Sequence, residues 1–295
     1  MQPKFIKSGG TATKRHSVDV PVGRYSALFF VLYGAADEGQ SLDPAELGRL
    51  RVVRNGQDVQ GESLRFYHDL TDLKGGAPTL ENEAGEQQRF FAIVPFAFPG
   101  LANSMDIRSK EETDVVISLD DALDTVFDGE GTWELYGLEA PATVESYTLL
   151  VREQDVQASG AGRLEDTLNG RNSGALYIYD DDDILDTLQV EVDGTTVVDN
   201  ISFPLLLDLT NAENRIENKR IDLKETQWVD GVAANALNAT TDVSYFVTDA
   251  GTVEVTVLQI RRNENVGQSR RRVQQHLAQR TGVEGEIQRT RGLRR

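Results

Sequence analysis

The sequence contains no cysteine in its 295 residues, only two methionines, two tryptophans and three histidines. Without cysteine there is no disulfide framework, no thiolate zinc site and no thiol nucleophile, and compartment cannot be read from redox chemistry. Three histidines far apart in sequence (His16, His68 and His276) make a poor basis for a zinc cage or a catalytic triad. No run approaches the roughly 20 apolar residues that span a bilayer as a helix. No apolar stretch follows the N-terminal lysines, which argues against a secretory leader. The phosphate-binding, zinc-protease and nucleophile-elbow motifs G-x-x-x-x-G-K-[ST], H-E-x-x-H and G-x-S-x-G are also absent. An enzyme is therefore the least favoured class.

What is present is acid. The net charge is −18, with 48 Asp and Glu against 30 Lys and Arg. The charge is unevenly spread. Lys4, Lys7, Lys14 and Arg15 give the first 18 residues +4, and residues 261–295 carry ten arginines against three glutamates, or +7. This leaves −29 on residues 19–260. Such a body repels phosphate, whereas either basic end attracts anions. Solvated surface with disordered tails is the plainer reading of the same pattern.

Apolar and β-branched residues recur in runs of strand length: Tyr25–Tyr33, Phe90–Val94, Asp114–Leu119, Ala175–Tyr179 and Thr252–Ile260 are clear cases. Asn55-Gly56, Asp128-Gly129 and Asp193-Gly194 stand between or before such runs, as tight turns with positive φ require. Helical signals are short: Asp43-Pro44 followed by Ala45–Leu47, and Leu119–Phe127. The chain reads as all-β, a sandwich or barrel architecture with short helices in loops.

The segment Leu50–Val59 matches Leu188–Val197 through the pattern L-x-V-x-x-[ND]-G-x-x-V. Asp69–Asp72 matches Asp208–Asn211, and Gly131–Leu138 matches Gly251–Leu258. Fainter echoes link Tyr25–Leu28 with Tyr147–Leu150, and Gly100–Asn103 with Gly231–Asn235. Five pairs in one order predict a tandem duplication: a basic arm at 1–16, sandwiches at 17–140 and 143–262, and an arginine-rich tail at 263–295. Each sandwich has room for eight strands.

Two clusters are candidate sites. Asp180, Asp182, Asp183 and Asp186 crowd the end of one strand, where Ca2+ would relieve their repulsion with oxygen ligands; a solvated acidic loop is the alternative. Lys4, Lys7, Lys14 and Arg15 in the N-terminal arm, with Arg270, Arg271, Arg272, Arg289 and Arg291 in the tail, form anion- or membrane-contacting arms. Plain disorder is again the alternative.

Tyr25–Phe30, Leu50–Val59 and Phe90–Pro95 followed by Phe98-Pro99-Gly100, in two acidic cysteine-free sandwiches with a basic N-terminal segment, resemble a known family. They resemble the double jelly-roll major capsid proteins of tailless icosahedral phages with an internal membrane. The resemblance implies two tandem eight-stranded jelly rolls with basic terminal arms and no required cofactor. It also implies a homotrimer that mimics a hexagon and tiles a virion shell assembled in the host cytoplasm. The basic ends would meet internal membrane lipid, minor capsid proteins or neighbouring capsomers. A tandem β-sandwich carbohydrate-binding or adhesin-like module is the rival reading.

Overall fold

The computed structural model describes residues 3–72, 80–81, 87–97, 103–140, 147–168, 173–192, 194–206, 220–222, 228–229, 232–233 and 241–262. Chain order builds the first sandwich from ten strands. These are β1 (Pro3–Gly10), β2 (Arg15–Asp19), β3 (Gly23–Ala35), β4 (Gly48–Arg54), β5 (Gln57–Ser63), β6 (Leu80–Glu81), β7 (Gln87–Pro95), β8 (Met105–Ile107), β9 (Thr113–Leu119) and β10 (Thr132–Glu139). One sheet has the order β1-β10-β3-β7-β6, with β8 also on β3; the facing strands run β5-β4-β9-β2. Alternation places Leu28, Phe30 and Leu32 of β3, Trp133 and Leu135 of β10, Leu50 and Val52 of β4, and Val115 and Ile117 of β9 in the space between, all fully buried.

The second sandwich comprises β11 (Tyr147–Glu153), β12 (Val156–Ser159), β13 (Gly162–Leu168), β14 (Ser173–Tyr179), β15 (Leu185–Val192), β16 (Thr195–Ser202), β17 (Arg220–Asp222), β20 (Thr241–Val247) and β21 (Ala250–Arg262), with a separate hairpin of β18 (Trp228–Val229) and β19 (Val232–Ala233). Its strand orders are β11-β21-β14-β17 and β16-β15-β20-β13. Set beside β1-β10-β3-β7 and β5-β4-β9-β2, the two halves match strand for strand. The repeated hairpins fall at corresponding places. Asn55 and Gly56, at φ 51° and 74°, turn β4 into β5, and Gly194 at φ 72° stands between β15 and β16. Thr132–Leu138 and Thr252–Leu258 lie on the corresponding strands β10 and β21. The Tyr25–Tyr147 echo is overturned: Tyr25 is on β3, whose counterpart is β14, whereas Tyr147 is on β11. Both segments are apolar strands, and composition alone mimicked homology. Residues 100–102, 208–211 and 234–235 of the other echoes lie outside the described residues.

Residues 1–16, expected to be an arm, are a correction. From Pro3 onward they enter the first sandwich, because Pro3–Gly10 pairs along β10 and Arg15–Asp19 along β9. Backbone pairing offsets the lysine charge that suggested a solvated tail.

The two sandwiches share one sheet. A short parallel pairing, Val151 with Gln60 and Arg152 with Gly61, joins β11 to β5 and makes the order β17-β14-β21-β11-β5-β4-β9-β2 continuous. Helix α1 (Leu64–Asp72) follows β5 directly and docks on the second sandwich. Phe66 meets Tyr177 edge to face at 5.0 Å, Tyr179 donates to Asp69 at 2.8 Å, and the Arg65 guanidinium lies 4.4 Å above the Tyr179 ring while pairing with Asp181. Strand β14 is therefore buried on both faces: Leu176 and Ile178 enter the second core, Tyr177 and Tyr179 the first. Short helical turns at Pro44–Glu46 and α2 (Ala122–Phe127) match the two sites expected; Asp43 caps the first by accepting from the Ala45 N–H at 2.9 Å.

Phe66 ties α1 to strand β14 of the second sandwich although it lies outside the strands of either sandwich. Phe66→Ala should lower unfolding stability by about 3–5 kcal/mol in urea titrations, as truncation of a core phenylalanine does; a loss below ~1 kcal/mol would mean that α1 is peripheral.

Candidate assembly surfaces

The acidic run is built as a turn that its own carboxylates hold. The Asp180 carboxylate accepts from the Ile184 and Leu185 N–H groups at 3.0 and 2.7 Å. Asp182 accepts from the Thr252 N–H at 3.1 Å, Asp181 is held by Arg65, and Asp183 takes φ 53°. Asp186 is exposed on β15. Among the described residues no three acidic or histidine side chains converge as metal ligands.

The basic N-terminal residues disperse along two strands. Lys4 pairs with Glu139 at 3.3 Å, and Lys14 with Asp124 at 2.7 Å while donating to the Asp120 carbonyl at 3.2 Å. Lys7 is exposed on β1. Arg15 joins Arg49, Arg51 and Arg152, none of them anticipated, around an open concavity of about 610 Å³ that Asp58 and Glu153 also line. The alternation R-L-R-V-V-R over Arg49–Arg54 carried that signal: Leu50 and Val52 point into the core, so Arg49 and Arg51 share the outer face. Arg270, Arg271, Arg272, Arg289 and Arg291 lie outside the described residues. His16 packs edge to face on Trp133, and His68 is buried with Nδ1 2.9 Å from the Phe91 carbonyl; both are built into packing.

The outer face of the β1-β10-β3-β7 sheet carries an apolar patch. A row crosses it from Phe5 through Tyr136 and Phe29 to Ile93, and Phe91 stacks on Phe29 at 5.5 Å. Phe5 stands 53% exposed against the edge of Tyr136. Tyr33 and Tyr136 both donate to Glu134 at the centre of the face, the former at 3.0 Å. An apolar patch held in place by a sheet is what a protein interface uses.

Where the sandwiches meet, amides and one carboxylate stitch the seam. Gln60 donates to the Pro95 carbonyl at 2.7 Å, and Asn103 to the Phe96 and Tyr147 carbonyls at 2.7 and 2.8 Å. Glu62 on β5 is only 4% exposed, 3.6 Å from Arg49, which pairs in turn with Glu153 on β11. Burial pushes the Glu62 carboxyl above its ordinary range, and outweighs the lowering by the Ser63 N–H, Thr256 and Arg49. The folded chain thus holds this proton more tightly than the unfolded chain, so Glu62 costs stability as pH rises through its raised pKa. Glu62→Gln should be more stable than the parent at neutral pH, with the gain shrinking as pH falls through the carboxylate range. Thermal unfolding against pH checks this; a variant less stable at neutral pH would show the Arg49 pairing to be dominant.

No protein-family model and no curated protein matches this sequence. Solved structures do match. The major capsid protein of bacteriophage PM2 aligns over 90% of this chain and 98% of its own, with a TM-score of 0.60 at 14% identity. The major capsid protein of Sulfolobus Turreted Icosahedral Virus aligns over 88% and 94% with a TM-score of 0.61 at 10% identity. The PBCV-1 virus capsid protein aligns over 88% and 92% with a TM-score of 0.58 at 11% identity. Such identities speak to architecture, and the architecture of this chain is the double jelly roll of these viral major capsid proteins.

Proposed function

We propose that this chain is the major capsid subunit of a tailless icosahedral phage, residing in the virion shell as a homotrimer. The observation that carries this reading is the strand-for-strand doubling of two sandwiches that one continuous sheet joins, in a chain that aligns nearly end to end with shell proteins rather than with enzymes. Three chains with two similarly connected sandwiches each present six similar units, and a ring of six tiles a facet. Fusing two units in one chain removes one association step and its entropy cost. The apolar face around Phe5, Tyr136 and Phe29 supports association with further copies. Native mass measurement of the purified full chain should give a trimer at low and high salt; a monomer in both would overturn the reading.

The tail at 263–295 is the segment we assign to the shell's interior. Its net charge of +5 suits the anionic lipid of an internal membrane, at roughly 1 kcal/mol per basic residue near the surface, or minor capsid proteins of opposite sign. Removing residues 263–295 should leave the body folded, since no described strand is lost, and should yield particles without their membrane. Membrane-filled particles from that shortened chain would remove the assignment.

A further inference from the structure

The joint inside one chain has a second, unfilled copy on its outside. Within the chain, the first sandwich contributes edge strand β5 and the helix that follows it, and the second contributes the face of β11-β21-β14 beneath that helix. The counterpart of β5 is β16, and the chain leaves β16 in the same way: residues 203–206 are helical. Leu64 and Phe203 open the two helices, 139 residues apart, so Phe66 corresponds to Leu205. Phe66 is fully buried against Tyr177, whereas Leu205 is 49% exposed.

The receiving side repeats too. The counterpart of β11-β21-β14 is β1-β10-β3, and its outer face bears Phe5, Tyr136 and Phe29. Three large apolar side chains stand well exposed among the described residues: Phe5, Val22 and Leu205. Two of the three fall on the two halves of this unfilled joint. Duplication explains that placement; the surfaces are apolar because their counterparts within the chain are core.

We infer that the helix after β16 of one copy seats Leu205 on the Phe5–Tyr136–Phe29 face of a second copy. The contact repeats between chains the one that Phe66 and Tyr177 make within a chain. It joins unlike surfaces, each copy carrying one of each, so it either closes into a ring or runs on as a filament. Closure at three copies rests on the capsid reading. Six sandwiches then meet through alternating internal and external versions of one joint, which gives the ring its near-six-fold character.

The absence of native cysteine makes the test clean. In the full chain, Leu205→Cys combined with Phe5→Cys should, on oxidation, give a covalent ladder ending at three chains on non-reducing gels, while each single substitution should give none. Leu205→Asp and Phe5→Asp should each weaken association at least ~10-fold, equivalent to about 1.4 kcal/mol, whereas Val22→Asp, equally exposed but off both surfaces, should leave it unchanged. A trimer that survives Leu205→Asp and yields no ladder would overturn this assignment and leave the capsid reading standing. A parent chain that is monomeric throughout would overturn both.

Discussion

The structure depends on a sheet that is covered on both faces. Strands β21 and β14 have the second core on one side and, on the other, α1 and the end of the first core. That demand is written in the run Leu176-Tyr177-Ile178-Tyr179, where alternate residues serve different cores and none is left to water. A strand with one wet face would alternate apolar and polar residues. Two sandwiches that shared only a linker would move relative to one another. Here the short parallel pairing of β5 with β11 sets the direction of the join, and the packing of Phe66 and Tyr67 beneath the sheet makes it stiff. Dispersion and apolar burial supply the energy, while the seam amides and Glu62 supply register.

Charge is then arranged around that frame. The surface of the body is acidic, and its few cations sit where they tie elements together. Arg65 clamps α1 to the second sandwich through Asp181 and the Tyr179 ring. Arg54 ties β4 to Glu111 at 2.9 Å and to the Asp106 carbonyl at 2.9 Å. Lys14 holds the acidic end of α2. The first two side chains are less than one-fifth exposed, so their guanidiniums are screened less than surface pairs and cost more to remove.

Doubling has a consequence for evolution as well as for assembly. Once a joint works inside a chain, its mirror in the other half already has the right shape and the wrong occupant. The first sandwich's outer face and the second sandwich's helix have kept apolar residues, although the internal joint uses neither. A duplicated fold thus carries a ready description of its own neighbour contact.

Much of the plan was legible in the amino-acid order. Strand-length apolar runs, turn dipeptides and the paired hairpins around Asn55-Gly56 and Gly194 are local signals, and they indicated an all-β chain with a repeated unit. Helix α1 is not legible in the sequence although Leu64, Tyr67 and Leu70 stand at near-helical spacing, because nine residues of which three are aromatic or β-branched have little helical preference of their own. The N-terminal lysines and the four aspartates were read as charge because charge is what a sequence displays. Whether Lys4 lies on a strand depends on its pairing with Gly137 on β10, far along the chain, and whether Asp180 binds an ion or caps a turn depends on where two N–H groups point. Local composition and periodicity determined which segments are strands and that the unit repeats. Only the tertiary structure decided which strands pair, which apolar residues end in a core and which stay outside, because those outcomes rest on contacts between residues far apart in the chain.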